Sequence, residues 1–389
     1  MKIMMVAGEA SGDLHGANLA REILALEPGC RLFGMGGSLM RQAGVELVYD
    51  PTSVSVMGFA EALKSVTVLK RVLTRLGEVL DKEKPDLVVH IDFPEFNLRL
   101  AEMAHNRGIR TVYYMSPSVW AWRQGRARKI ARIISCVCTV FPFEMPVYEQ
   151  AGATTCYVGH PLVDIVKSSI SRPALLQQLN LDPAAPVFAL LPGSREQEIR
   201  LHLPDMLKAA TLIRKEAPDA RFIIALAHTI SRRLIDEYMA QEPGLPVVIT
   251  AGRTYDVLAA ADAALITSGT ATLESALLGT PLVMVYRMSK STYHILRMLV
   301  KIPYVALPNI VLGEEIVPEL IQNEVTPGRM AEELLALWRD PQRRAAVCAG
   351  LAQSVARLGP PGAVQRAAGV CLAVAKGNDP QEYTVPLEH

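Results

Sequence analysis

A chain of 389 residues is long enough for two domains, each with a core of its own. With 50% apolar and 20% charged residues it has a globular balance, which excludes a disordered or low-complexity chain. Forty basic against thirty-nine acidic residues leave a formal charge of +1, which argues against a general electrostatic grip on nucleic acid but leaves room for a local basic patch.

The first apolar run, residues 3–7, is broken at once by Gly8-Glu9, so it reads as a first strand rather than a signal peptide. No uninterrupted apolar stretch reaches the roughly 18–20 residues of a spanning helix. The six cysteines (Cys30, Cys136, Cys138, Cys156, Cys348 and Cys371) contain no Cys-x-x-Cys pair and read as free thiols in a reducing, cytoplasmic compartment. Short β-branched runs alternate with helical patterns, which predicts an α/β protein with parallel strands covered on both faces. Strands are expected at 2–7, 31–35, 86–91, 111–115 and 135–141, then at 187–191, 221–225, 247–250, 263–267 and 281–286. The polar stretch 167–186, with Pro173, Pro183 and Pro186, marks the domain boundary. The expected division is residues 1–166, residues 167–345, an alanine-rich helical segment 346–376 and a tail 377–389. That segment would dock on either domain or on a second copy, making a homodimer. The closing Leu387-Glu388-His389 reads as the remnant of a cloning tag.

Two turns share one design, a buried strand running through small residues into a helix. The first is Gly8-Glu9-Ala10-Ser11-Gly12-Asp13, and the second is Pro192-Gly193-Ser194-Arg195. Such a turn leaves backbone N–H groups aimed at an anion. Two of them at this separation predict two facing doubly wound domains with substrates in a cleft between them. In the second, the N–H groups of Gly193 and Ser194 would hold a diphosphate and Arg195 would be its bidentate counter-charge. An ordinary βα loop with a surface arginine fits the same residues. Ser268-Gly269-Thr270 repeats the pattern, and Glu274, one turn later, is placed to accept two ribose hydroxyls. Together these form a nucleoside-diphosphate site that lacks the triphosphatase P-loop. Gly8, Gly12 and Gly16 depart from the dinucleotide fingerprint, so small residues here would instead let a second substrate approach the backbone. Asp92 ends the apolar run 86–91 before Phe93-Pro94, where it would serve as a base or merely cap the next helix.

These segments resemble the lipid-A-disaccharide synthases over nearly the whole chain. The resemblance is carried by the turn at residues 8–13, Val56-Met57-Gly58-Phe59, Ile91-Asp92-Phe93-Pro94 with Phe96-Asn97, and Ser116-Pro117-Ser118-Val119-Trp120-Ala121-Trp122-Arg123. Gly159-His160-Pro161, Leu191-Pro192-Gly193-Ser194-Arg195, Ser268-Gly269-Thr270-Ala271-Thr272-Leu273-Glu274 and Leu307-Pro308-Asn309 complete it. It implies the GT-B arrangement, two facing Rossmann-like domains, and a metal-independent, cofactor-free inverting transfer. The transfer would run from UDP-2,3-diacylglucosamine, a substrate, to the 6-hydroxyl of 2,3-diacylglucosamine 1-phosphate, giving the β-1,6 disaccharide and UDP. Asp92 matches the family's catalytic aspartate, with Glu9 as the second candidate base. Glu274 should hold the ribose and Asn309 should touch the nucleotide. Gly8, Glu9, Ser11, Gly12, Asp13, Trp120 and Arg123 are expected on the acceptor side, and His160 is either a cleft or a structural residue. A nonhydrolysing UDP-sugar epimerase is the alternative, because it would share the architecture and the UDP pocket.

Acylated substrates imply contact with the inner membrane surface. Phe59, Leu63, Val66 and Leu69, continuing at Leu73, Leu76 and Leu80, repeat every three or four residues along one helical face, and Val56, Met57, Val68 and Val72 widen it. Both a lipid-facing patch and an ordinary core-facing helix fit this stripe. The basic residues Arg123, Arg126, Arg128, Lys129 and Arg132 are either a phosphate or lipid patch or a solvated helix face.

Overall fold

The computed structural model describes residues 1–50, 66–117, 119, 125–227, 229–289, 293 and 303–386. Met57, Phe59, Leu63, Trp120, Arg123 and the side chain of Val66 lie outside the described residues. The chain divides into two compact units, Met1–Asp164 with Leu358–His389, and Ile165–Arg357.

In the first unit, seven strands form a parallel sheet among the described residues. They are β1 (Lys2–Ala7), β2 (Arg31–Met35), β3 (Glu46–Tyr49), β4 (Leu87–Ile91), β5 (Arg110–Tyr114), β6 (Cys136–Thr139) and β7 (Thr155–Tyr157), in the order β3-β2-β1-β4-β5-β6-β7. Side chains alternate across the strands, so each apolar run serves both faces. Met4, Val6, Phe33, Met35 and Val88 pack with Val72, Leu76, Leu80, Phe96 and Leu100 from the helices Val66–Glu83 and Pro94–His105. The other face takes the helices Ala10–Leu26 and Ala363–Lys376. Strand order reverses between β1 and β4, so Gly8 and Asp92, just past their carboxyl ends, stand at a topological switch point.

The second unit repeats the plan. Among its described residues, β8 (Val187–Leu191), β9 (Arg221–Leu226), β10 (Val247–Ala251), β11 (Ala263–Thr267), β12 (Leu282–Tyr286) and β13 (Glu319–Ile321) run parallel in the order β10-β9-β8-β11-β12-β13. The reversal lies between β8 and β11, whose ends feed residues 192–195 and 268–270.

Three expectations are corrected here. The helical segment 346–376 is not a unit of its own: helix Pro341–Ala356 belongs to the second unit, and helix Ala363–Lys376 to the first. The latter is apolar nearly all round, so it must be buried wherever it goes. Asp164 fixes its start by accepting from the amides of Gly362 at 2.7 Å and Val364 at 3.2 Å, and Lys376 pairs with Glu27 near its end. A homodimer built on this helix therefore loses its surface. Second, the described part of the amphipathic stripe is a core face. Val72, Leu73, Leu76 and Leu80 are buried, and Leu69 packs against them, while Lys70, Arg71 and Arg75 are exposed. Third, Gly12 and Gly16 serve packing within the unit. A Cβ on Gly16 would lie 2.6 Å from the Met40 sulfur and 3.1 Å from Ile91, and one on Gly12 would lie 3.3 Å from Ala7.

Candidate active site

At the first switch point the chain leaves β4 through two consecutive non-glycine residues in left-handed backbone, Asp92 (φ 49°) and Phe93 (φ 50°). Backbone of this kind costs about 1 kcal/mol or more per residue and persists where the surroundings over-determine it. Here the Asp92 carbonyl accepts from the side-chain amide of Asn97 at 2.7 Å and from the Tyr113 hydroxyl at 2.8 Å. Helix Pro94–His105 starts with Phe93 as its N-cap residue, so Asp92 stands ahead of the cap instead of forming it. Its side chain is half-buried at the carboxyl end of the strand.

The neighbouring glycine-rich turn is mostly structural. Gly8 is buried beneath Phe93, whose ring would overlap any Cβ there. The Asp13 carboxylate accepts from the amides of Gly37 (2.7 Å), Leu39 (3.0 Å) and Met40 (3.0 Å), capping the short helix Ser38–Gln42 from outside. With Asp13 engaged by three amides and Gly8 and Gly12 packed against Phe93 and Ala7, these three are corrected from acceptor-facing to structural. Glu9 is half-buried and Ser11 is exposed, and these two keep an open side. His160 is structural too: its Nδ1 accepts from the Leu162 amide at 3.2 Å, its ring lies on Phe141, and burial pushes its pKa down to about 3. In the basic helix Gly125–Ile133, Arg126 pairs with Glu95 and Lys129 with Glu102, while Arg128 and Arg132 are exposed.

In the second unit the two expected anion turns prove unequal. Gly193 (φ 127°) turns the chain out of β8 as expected. The amides behind it are already taken, however: the Glu198 carboxylate accepts from Ser194 N at 2.8 Å and Arg195 N at 3.2 Å, and pairs with the Arg195 guanidinium at 3.1 Å. This is the reach-back of a capping box, in which the third helical residue satisfies the N-cap amide of helix Glu196–Glu216. Of the two amides expected to cradle a diphosphate, that of Ser194 is therefore corrected from open to occupied. The Arg195 side chain is 71% exposed, paired among the described residues only with Glu198 at 3.1 Å.

The open turn is the other one. Gly269 (φ 149°) leads into helix Thr270–Leu277, and a Cβ on it would meet nothing within 4 Å. Ser268 N is spent on the Val285 carbonyl. The amides of Thr270 and Ala271 have no acceptor among the described residues, which leaves the positive end of the helix available. Glu274 lies one turn on, on the same side as Thr270. Its carboxylate has no hydrogen bond among the described residues, and burial raises its pKa to about 7. A carboxylate kept desolvated without a partner is prepared to accept hydroxyls from outside. Nearby, Tyr255 is pushed up to about 12, first by burial and then by Glu274.

Asn309 does not face a ligand. It is fully buried, donating to Val317 O (2.9 Å) and Glu319 Oε1 (2.8 Å) and accepting from the amides of Ile316 (2.9 Å) and Val317 (3.0 Å). With two donors and two accepting positions all used, its side chain has no bond left for a nucleotide, so the expected side-chain contact is corrected to a supporting one. Glu319 in turn accepts from the amides of Val305 and Ala306, at the start of helix Leu307–Leu312, whose Leu307 amide donates to Thr272 at 3.3 Å. Asn309 thus braces the open turn through two intermediaries. Glu198, Glu319 and Tyr113 had no motif of their own, although a glutamate three residues after a cap residue is a capping-box signal.

Comparison with known proteins places this geometry. A family model described as lipid-A-disaccharide synthetase matches residues 3–362. The chain is 43% identical over 377 residues to the lipid-A-disaccharide synthase of Syntrophus aciditrophicus, covering 97% of this chain and 98% of the relative. Among solved structures it resembles a UDP-GlcNAc 2-epimerase from Neisseria meningitidis bound to UDP-GlcNAc, at 12% identity and a TM-score of 0.65, with 94% and 97% of the two chains covered. It also resembles the calicheamicin glycosyltransferase CalG4, at 18% identity and a TM-score of 0.61, with 97% and 98% covered. At those identities the two structures speak for the fold alone, so the epimerase likeness says nothing of epimerase chemistry.

Proposed function

The chain belongs to the lipid-A-disaccharide synthase family and is a glycosyltransferase, and from that premise we propose how its residues divide the work. The donor UDP sits on the second unit, its diphosphate on the Thr270 and Ala271 amides at the open helix end and its ribose hydroxyls on Glu274. Arg195 swings from Glu198 to the diphosphate. The acceptor's 6-hydroxyl attacks the anomeric carbon of the 2,3-diacylglucosaminyl group, and Asp92 takes the proton as the new C–O bond forms. The bond to the β-phosphate oxygen breaks on the opposite face, and its electron pair leaves with UDP. One displacement inverts the anomeric centre, so the α-linked donor gives the β-1,6 disaccharide. Charge growing on the leaving diphosphate is met by the helix N-terminus and Arg195, an electrostatic stabilisation that needs neither metal nor cofactor.

The observation that carries this reading is Glu274, a half-buried carboxylate without a hydrogen bond among the described residues, one turn behind an open, glycine-led helix start. The test supplies UDP-diacylglucosamine with and without diacylglucosamine 1-phosphate and follows UDP release in the presence of EDTA. Release should require the acceptor, ignore EDTA and disappear in Asp92→Ala. Release that persists without the acceptor or in the variant rejects the mechanism.

Among the described residues no helix is long and apolar enough to cross a membrane. We propose peripheral contact with the inner membrane surface through Met57, Phe59 and Leu63, with Arg128 and Arg132 toward lipid phosphates, since the stripe from Leu69 onward is spent on the core. A folded Met57/Phe59/Leu63→Ser variant that still co-sediments fully with anionic liposomes rejects this.

A further inference from the structure

The strained exit from β4 is held at its backbone by two buried side chains. Asn97 is fully buried, and its side-chain nitrogen lies 2.7 Å from the Asp92 carbonyl, 3.2 Å from that of Ile91 and 3.4 Å from that of Val6. Three carbonyls around one atom identify it as the NH2 group and leave the amide oxygen facing His90 Nδ1 at 3.4 Å. His90 therefore carries its proton on Nδ1 and donates to Asn97. Tyr113, also fully buried, sends its hydroxyl to the same Asp92 carbonyl from the neighbouring strand. Its ring lies against His90 with 5.9 Å between centroids.

The orientation of that carbonyl fixes the peptide plane between Asp92 and Phe93. This plane sets ψ of Asp92, and with it the direction the carboxylate faces relative to the incoming hydroxyl. Left to itself a non-glycine pair would relax to φ below zero and turn the side chain elsewhere. The fold opposes this twice, with the donors of Asn97 and Tyr113 and with the Phe93 ring seated over Gly8. A helix cap alone would need none of these, because Pro94 already starts the helix.

We propose that Tyr113 and Asn97 are positioning residues for the reaction, clamping the Asp92 backbone in its left-handed state so that the carboxylate meets the acceptor hydroxyl. The inference rests on Asp92 being the base. Catalysis by a positioned group is steeply sensitive to displacement, and an error of about 1 Å costs on the order of 100-fold.

The test is a double-mutant cycle of Tyr113→Phe and Asp92→Asn in the full-length protein, read as kcat and donor KM with a UDP-release assay. Tyr113→Phe keeps the ring and its packing and removes only the donor. It should lower kcat about 10-fold while leaving donor KM and the melting profile near wild type. In the Asp92→Asn background it should change nothing further, because there is no base left to position. Asn97→Asp, which offers no NH2 to the carbonyls, should lose more, and Asn97→Gln should not rescue it, since the extra methylene misplaces the amide. An Asp92→Asn enzyme of full activity refutes the base reading and the clamp with it. Asp92→Asn inactive beside a fully active Tyr113→Phe refutes the clamp alone, as does an equal loss of kcat from Tyr113→Phe in both backgrounds. A rise in donor KM with unchanged kcat refutes it as well.

Discussion

Replacing Glu274 with glutamine should separate what burial costs this protein from what nucleotide binding gains. Burial holds the carboxyl pKa at about 7, against an ordinary 4.5, and no partner among the described residues offsets it. The folded state then keeps a proton that the unfolded chain has lost between those two values. Stability falls with rising pH wherever the native state binds more protons, so this contribution is fully present below pH 4.5 and is lost as pH rises through about 7. At about 1.4 kcal/mol per tenfold difference in proton affinity, the loss amounts to about 3 kcal/mol at pH 8. Glu274→Gln is neutral at every pH, so it should match wild type near pH 4.5 and unfold later at pH 8, by roughly 5–10 °C for a unit of this size. Binding moves the other way. The carboxylate accepts two ribose hydroxyls through charge-assisted bonds, and losing them should weaken UDP about 10- to 100-fold. Because those bonds favour the ionised form, UDP binding to wild type near pH 7 should release a fraction of a proton, and binding to the variant should not. Thermal melts from pH 4.5 to 8.5 and calorimetry in buffers of different ionisation enthalpy measure both. Parallel pH profiles for wild type and variant would refute the desolvation argument, and unchanged UDP affinity would refute the ribose role.

Other substitutions divide contact from support. Arg195→Ala removes an exposed side chain whose ion pair with Glu198 is worth about 0–1 kcal/mol, so melting should barely move while kcat/KM for the donor falls at least 100-fold; intact activity would remove Arg195 from the site. Asn309→Ala strands two amides and two acceptors in the interior and should cost about 2–4 kcal/mol by denaturant melt, with faster hydrogen exchange across residues 305–319. If Asn309→Ala weakened UDP without destabilising the second unit, a direct contact would be restored. Asp13→Ala leaves three amides without their acceptor and should destabilise the first unit by about 2–3 kcal/mol, leaving UDP affinity intact; weakened UDP binding would show that Asp13 acts beyond its own helix cap.

The parallel sheets were legible because their central strands are unbroken apolar runs between amphipathic helices. Residues 2–7, 31–35, 187–191 and 263–267 fall where expected. The strands without a signal, β3, β7 and β13, are short and lie at sheet edges, where one flank goes uncovered and little apolar patterning is needed. Asp92, Gly193 and Gly269 were readable for a related reason: each follows a recognisable strand end, where an α/β fold puts its ligands.

Sequence alone thus determined the fold class, the strand–turn–helix junctions and the residue types gathered at them, because periodicity and strand–turn–helix punctuation are local properties. Tertiary structure decided which of those residues are free. Glu198, Glu319 and Asp164 are ordinary glutamates and aspartates until packing brings them to particular amides. Asn309 and Asp13 looked like ligands until the fold filled all four positions of the Asn309 amide and bound three backbone amides to Asp13. Hydrogen-bonding capacity is finite, and how it is spent depends on neighbours far away in the chain, as with Asp164 and Val364, 200 residues apart. A motif names the residues at a site, and only the folded chain shows that Glu274 still has its carboxylate to offer.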